Sequence, residues 1–552
     1  MPQRLRDLLA GLAALLMGAA AFFAFCGWWP LLVTNIAWLE GGDRAMHQLG
    51  WMFFRDSPWG LPPGASPRLG IELAASIALV DGLPLLAMPF KLVAPWLPQP
   101  FQYWGWWLLV SFMLQGLFAY RIARELDAGR LVALLAAGFA LITPAYLFRI
   151  PLHLALSSHW VVLAALLLYM RRAPPRPAMW PLLLALTAAI HATLLAMVAA
   201  LWCAALLQRL WTDRTEFRAL LVEMFAALAA TLATLWLVGF FGAGTYAASG
   251  YGSYKLNLLW PILSYHWSQL FPDLPHGRLD YEGLAFPGIG ILALLLIAVL
   301  TGAVLRLRAA VSPFWLPLAL VLVALMIFAF SKTLTLGDAD LVTLPVPGFV
   351  DALGAAFRST GRFVWPLLYV ITIGAVVLAG ARFRPALAVP LVLALLVAQG
   401  IDSWPEARRF RAFMPQPSPV WETSFTSPLW ERAAESGYTR LRAIPEQVGF
   451  GSDWKDPGYF AVTHGLDTDI AYLARIDPER LQMLRTRAEH VLATGAFEPR
   501  TIYLLDVYSA LRAVAHLGPD DLLVTVDGRN VLLPGGRALA AGLNLTPLAP
   551  AD

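Results

Sequence analysis

Long apolar runs alternate with short polar turns along most of the chain, and the alternation stops after residue 401. A run of about 17–25 apolar residues suffices for a helix to cross a bilayer. Such runs lie at 8–28, 102–120, 131–147, 154–170, 179–190, 192–210, 219–240, 287–305, 313–331, 363–380 and 385–401. They predict a polytopic α-helical membrane protein with about 11 transmembrane helices. Only the stretch 179–210 is ambiguous between one crossing and two, being short for two, with His191 at its middle. Arg171, Arg172 and Arg176 precede it and Arg209, Arg214 and Arg218 follow it. If both basic flanks are cytoplasmic, as the positive-inside bias favours, it crosses twice.

The same bias orients the rest. Arg4 and Arg6, Arg121, Arg124 and Arg130, Arg306 and Arg308, and Arg382 and Arg384 then share the cytoplasmic side. The N-terminus is inside and the C-terminus outside. Arg4 and Arg6 before the first run resemble a signal peptide, but no small-residue cleavage site ends it, so an uncleaved anchor is expected. Three outward loops are long, at 29–101, 241–286 and 332–362. In the first, 71–97 is expected to form interfacial helices. The inward loops are brief and basic, so the chemistry is expected to face outward.

From 402 to 552 the pattern becomes that of a small soluble α/β domain. Strands are expected at Thr439–Ile444, Ile470–Ile476, Thr501–Leu505 and Leu522–Val526. A helix over 477–496 opens on Asp477-Pro478, and Asp527-Gly528 makes a hairpin turn into Val531. No Gly-rich phosphate loop, metal spacing or nucleophile elbow is found in it. The chain therefore divides into 1–401, a transmembrane domain, and 402–552, a periplasmic domain.

Composition agrees with a membrane class: 59% hydrophobic, 14% charged, and 22 Trp suited to interfacial belts. The net charge of +4 is scattered rather than clustered, which argues against a nucleic-acid partner. Cys26 and Cys203 fall inside apolar segments, so no disulfide framework is implied.

Candidate chemistry sits in the outward loops. Acidic groups beside a bilayer are costly unless they bind something. Asp43 and His47 are four apart at the start of an amphipathic run, Asp43–Phe54, so one helical face carries both. Asp43 is the candidate general base for a hydroxyl acceptor and Asp81 the second. Asp43 with His47 is also a candidate site for a divalent cation, Mg or Mn. Against these stand a helix N-cap at Asp43, a surface histidine, and a loop turn at Asp81-Gly82. Arg358 and Arg362 are four apart, and on a helix they share a face suited to a phosphate. Lys332, Arg149, His47, His159 and Glu282 are further candidates for substrate contact. For a lone basic residue, snorkelling to lipid headgroups is the plainer role. Glu282 also fits a cap for the eighth span.

Taken together, Gly41-Gly42-Asp43, His47 to Trp51, Tyr281-Glu282-Gly283 and Arg358 to Phe363 resemble the GT-C superfamily of membrane glycosyltransferases, in an uncharacterised bacterial branch. The resemblance covers about residues 1–401. It implies a polyprenyl-phosphate-linked sugar as donor, a glycan or lipid acceptor, an inverting displacement, a catalytic role for Asp43, and a bacterial inner membrane. The adjacent Asp-Glu pair of protein mannosyltransferases is absent, since Arg44 follows Asp43, and that argues against a protein acceptor. Two rivals are a transporter or flippase of lipid-linked saccharide, which would use His191 and Glu223 within spans, and a non-catalytic membrane scaffold.

Overall fold

The computed structural model describes residues 3–171, 176–213, 217–243, 251–303, 313–449, 451–473 and 475–548. Arg172, Arg214, Arg306 and Arg308, used above for orientation, lie outside them. The chain forms two compact units, each discontinuous in sequence. One is Met1–Trp38, Gln102–Thr234 and Ala248–Pro417; the other is Leu39–Phe101, Leu235–Ala247 and Ser418–Asp552. The sequence-based boundary at 401/402 kept 39–101 with the spans, whereas its contacts are with the C-terminal chain.

Among the described residues, seven helices are long and apolar enough to cross a membrane. They are Gln3–Cys26, Trp104–Glu125, Ala192–Trp211, Phe217–Leu237, Pro313–Phe330, Thr360–Arg382 and Pro385–Phe413. The other four expected spans are shorter apolar helices: Arg130–Leu141, Ala155–Met170, Met179–Ala188 and Ile289–Leu300. The reason is local. Pro144 interrupts the run 131–147, and Gly288 at the N-cap delays the start of the helix at Ile289. Twelve residues at about 1.5 Å each fall short of a hydrocarbon core about 30 Å thick. The stretch 179–210 breaks at His191, which caps the following helix by accepting the Thr193 N–H at 3.0 Å.

Within the first unit, several helix ends are tied to one another by side chains. Arg130 Nε donates to Asp7 at 2.8 Å, Arg124 lies 3.7 Å from the same carboxylate, and Arg382 Nε donates to Thr301 O at 3.2 Å. Elsewhere in this unit, Gln102 Nε2 donates to Pro30 O and Leu32 O, at 2.7 and 2.9 Å. A two-stranded hairpin, β1 (Thr333–Leu336) with β2 (Ala339–Thr343), rises between two of the long helices.

In the second unit a six-stranded sheet has the order β4-β3-β5-β7-β6-β8. The strands are β3 (Arg440–Ile444), β4 (Asp467–Thr468), β5 (Thr501–Leu505), β6 (Leu522–Val526), β7 (Arg529–Leu533) and β8 (Thr546–Pro547). β4, β3 and β5 run parallel, and the β6–β7 hairpin turns at Asp527 and Gly528, both with positive φ, as the Asp-Gly pair predicted. The helix Pro478–Thr494 starts at the Asp477 cap, which accepts the Glu479 N–H at 2.9 Å, and stops at Gly495. Leu492, Tyr503, Leu523 and Leu532 form the core between this helix and the sheet. Among the described residues of 470–476, the expected strand does not form. The Asp469 carboxylate accepts the Ala443 N–H at 3.1 Å, and the ladder beside β3 ends at Thr468.

Candidate functional site

In the first unit, three backbone segments pass so closely that two glycines are required. A Cβ on Gly283 would lie 2.4 Å from Lys255 O, and a Cβ on Gly361 would lie 2.7 Å from Gly283 Cα. Gly361 N–H also donates to Tyr254 O at 3.0 Å. These are the glycines of the Tyr281-Glu282-Gly283 and Arg358–Phe363 motifs, so the motifs are neighbours in space. Their contact brings Glu282 against Arg362.

Glu282 is buried between two guanidiniums. Arg149 Nη1 and Arg362 Nε both donate to its Oε2 at 2.7 Å. Arg149 Nη2 adds a bond to Glu282 O at 3.2 Å. Arg362 Nη2 lies 3.3 Å from His153 Nε2, whose ring is 3.6 Å from Glu282 Oε1. Arg149 is fully buried, with Phe148 and Trp365 rings 4.8 and 5.2 Å from its guanidinium. Burial pushes its pKa down to about 10, against the opposing pull of Glu282. For Glu282, burial acts to raise the pKa, but Arg149 and Arg362 outweigh it and hold the carboxyl well below its ordinary 4.5. A depressed carboxylate stabilises the fold above its unfolded pKa and stops doing so as pH falls through the folded one. Thermal stability of the purified chain should therefore gain nothing from this group on raising the pH above about 4.5, and should lose its contribution only in more acidic buffer. Loss of that contribution between pH 7 and 5 would contradict the assignment.

Arg358 does not share a helical face with Arg362. The helix Gly348–Phe357 ends at Arg358, whose φ is +58°, and Arg362 lies in the separate 3-10 turn Thr360–Val364. Arg358 instead sits 5.0 Å from the Tyr254 ring centre and donates from Nη2 to the Tyr254 hydroxyl at 3.2 Å. Two lysines are absorbed by ion pairs, Lys332 with Asp351 at 2.8 Å and Lys255 with Asp340 at 2.7 Å. His159 is buried 4.0 Å from Trp365; its Nδ1 is 2.7 Å from the Tyr369 hydroxyl, which accepts from Gln115 at 2.8 Å. His159 thus has a structural partner, and Glu282 does not cap the helix at Ile289, whose N-cap is Gly288. The two polar groups that a transport pathway would use are also occupied. Glu223 accepts from both Arg209 Nη atoms, at 2.8 and 2.7 Å, and from Trp202 Nε1 at 3.0 Å, while His191 is a helix cap.

The acidic residues of the first loop belong to the second unit. The helix Asp43–Asp56 forms as expected, but its N-cap is Gly42 and not Asp43. Asp43 is half-buried in the first turn, where a carboxylate complements the helix dipole. His47 is fully buried, with Nδ1 3.1 Å from Val80 O. Asp81 follows at φ +47° in a turn closed by Gly82 N–H on Ile77 O at 2.9 Å. Among the described residues, no group of three or more His, Cys, Asp or Glu is arranged to hold a metal ion. The stretch 71–97 forms the helix Pro84–Leu92 between two 3-10 turns, Ile71–Leu73 and Ala94–Trp96.

Tyr254 and Tyr369 join these networks without a sequence pattern to announce them, whereas His153 stands with His159 in the outward turn near Arg149 in the sequence itself. Each earns its place through a partner at least 100 residues away, apart from the local tie of Tyr254 to Tyr281.

A protein-family model described as "Domain of unknown function (DUF6311)" matches residues 15–404, and a second, "DUF6311 C-terminal domain", matches 429–534. The chain belongs to this family. No curated protein matches it. Among solved structures, the apo oligosaccharyltransferase of Archaeoglobus fulgidus is 10% identical, covering 96% of this chain and 72% of its own, with a TM-score of 0.37. ArnT from Cupriavidus metallidurans in the apo state is 12% identical, covering 97% and 98%, with a TM-score of 0.36. Likenesses that loose carry no inference about activity.

Proposed function

We propose that this member of the DUF6311 family is a membrane glycosyltransferase that moves a sugar from a polyprenyl-phosphate carrier to an acceptor hydroxyl on the periplasmic face of a bacterial inner membrane. In this reading the chain crosses the bilayer eleven times, its shorter apolar helices included. The acceptor oxygen forms a bond to the anomeric carbon as the bond from that carbon to the phosphate breaks. Asp43 takes the hydroxyl proton, and the phosphate leaves with the bonding pair. Arg362 and Arg358 hold the departing phosphate.

The observation that carries the reading is the buried assembly of Arg149 and Arg362 on the one carboxylate of Glu282. Two guanidiniums against one carboxylate leave an excess positive charge out of water. Such a charge is costly unless an anion completes it. Arg149, wholly buried, orients Glu282; Glu282 fixes the Nε edge of Arg362. A guanidinium so fixed suits the fork geometry of a phosphate.

Arg358 offers the cleaner test, since it lies outside the buried pair. A lost charge-assisted hydrogen bond is worth about 1.5–3 kcal/mol, or roughly 10–100-fold in affinity. Arg358→Ala should weaken polyprenyl-phosphate binding to the full chain in nanodiscs by that factor. Unchanged affinity would remove Arg358 from the site.

A further inference from the structure

In the second unit, the helix that carries Asp43 is held from several directions by the C-terminal chain. Upstream of Asp43, Lys455 Nζ donates to Glu40 Oε1 at 2.8 Å and lies 3.1 Å from Asp456, its neighbour. Along the helix, Met46, Leu49 and Phe53 face Trp454, Ile470 and Tyr472 across a seam that encloses only about 10 Å³. Gly458 lets this happen, since a Cβ there would already lie 3.2 Å from Leu49 Cδ1.

Downstream, the loop is built into the sheet. Leu69 bridges to Thr468 in parallel, with Gly70 N–H on Thr468 O at 2.7 Å and Thr468 N–H on Arg68 O at 3.0 Å. Arg68 Nε pairs with Asp467 at 2.9 Å. The loop thus adds one bridged position to the sheet beyond its edge strand β4. Beside it, Glu72 receives both Nη atoms of buried Arg442, at 2.9 and 3.2 Å, and pairs with Arg487. Arg480 Nη1 donates to Glu72 O at 3.1 Å. Arg442 in turn reaches Asp469 at 3.0 Å, the residue that ends the β4 ladder. Glu72 is therefore the focus of three arginines from the C-terminal sheet and helix, Arg442 and Arg487 on its carboxylate and Arg480 on its backbone carbonyl.

We infer that the C-terminal domain is a clamp that positions the Asp43 helix through Glu72–Arg442, the Leu69–Thr468 bridge and Lys455–Glu40. Its consequence for catalysis rests on the reading of Asp43 given above. Glu72, Arg442 and Lys455 are positioning residues: they act on Asp43 only through the helix and loop they fix. The arrangement also gives a use to a domain that holds no recognisable catalytic motif.

The test is amide hydrogen exchange on the full-length chain in nanodiscs. In Glu72→Gln, amides of 45–56 should exchange at least tenfold faster while those of β5–β7 keep their wild-type rates. Lys455→Met should loosen the same helix, and Lys455→Arg should restore it. Unchanged protection of 45–56 in Glu72→Gln overturns the clamp, and so does equal loosening of helix and sheet, which is ordinary destabilisation. In a transfer assay with a polyprenyl-phosphate hexose, Glu72→Gln should lower kcat at least tenfold with the donor KM unchanged. If exchange responds as stated but Asp43→Asn keeps full activity, the clamp stands and the catalytic role of Asp43 falls.

Discussion

Asp43→Asn is expected to lower sugar transfer by about 10²–10⁴-fold, the usual contribution of a positioned general base. The substitution keeps the shape of the side chain and removes only its ability to accept the proton. Asp43 is half-buried at the first turn of its helix, with Gly42 as the cap, so the cap itself is not touched. A neutral side chain there forgoes about 0.3–1 kcal/mol of favourable interaction with the helix dipole, which is small beside the stability of the unit. Transfer from a polyprenyl-phosphate hexose and thermal unfolding, measured on the same preparation, separate the two effects. Wild-type turnover in a folded Asp43→Asn chain would end the assignment.

Glu282→Gln should act on stability first. It leaves the Arg149 and Arg362 guanidiniums buried without their shared counter-charge. Removing one partner of a buried pair typically costs about 3–5 kcal/mol, because the other charge stays out of water. The loss should appear as a lower unfolding temperature, and a further Arg149→Met change should recover part of it by removing one of the stranded charges. No recovery in the double variant would mean that the cluster is not coupled in this way. Polyprenyl-phosphate binding should weaken as well, since Arg362 loses the bond that fixes its Nε edge.

Much of this architecture was legible in the sequence, within limits that have physical causes. Apolar runs located the helices, but run length overstated helix length. Thr143-Pro144 and Gly288 act on the backbone inside stretches whose hydropathy is unbroken. In the C-terminal domain, Asp477-Pro478 and Asp527-Gly528 specify their cap and turn locally, and both formed where expected. The strand expected after Asp469 was lost to a side-chain bond with Ala443, a partner 26 residues away that no periodicity reveals.

The same division holds for the candidate site. Arg149 and Glu282 stood out singly and Arg362 as the partner of Arg358, and the structure joins the three. What joins them is the crossing of Gly283 and Gly361 over the backbone at Lys255, a packing contact with no local signature. The pairing of Arg358 with Arg362 by helical spacing failed because the helix ends at Arg358. Glu72 drew no attention, for an acidic residue in a short turn has no pattern of its own. Its meaning lies in Arg442, 370 residues along the chain.

The central claim is that the Glu282-fixed guanidinium, with Arg358, receives the phosphate of a lipid carrier. The most direct measurement is a density map of the full chain in nanodiscs with polyprenyl phosphate bound. The account predicts phosphate oxygens within hydrogen-bonding distance of Arg358 and Arg362, with Arg362 Nε still on Glu282. A phosphate seated elsewhere, with Arg358 still on Tyr254 and Arg362 enclosed by its present partners, would contradict it.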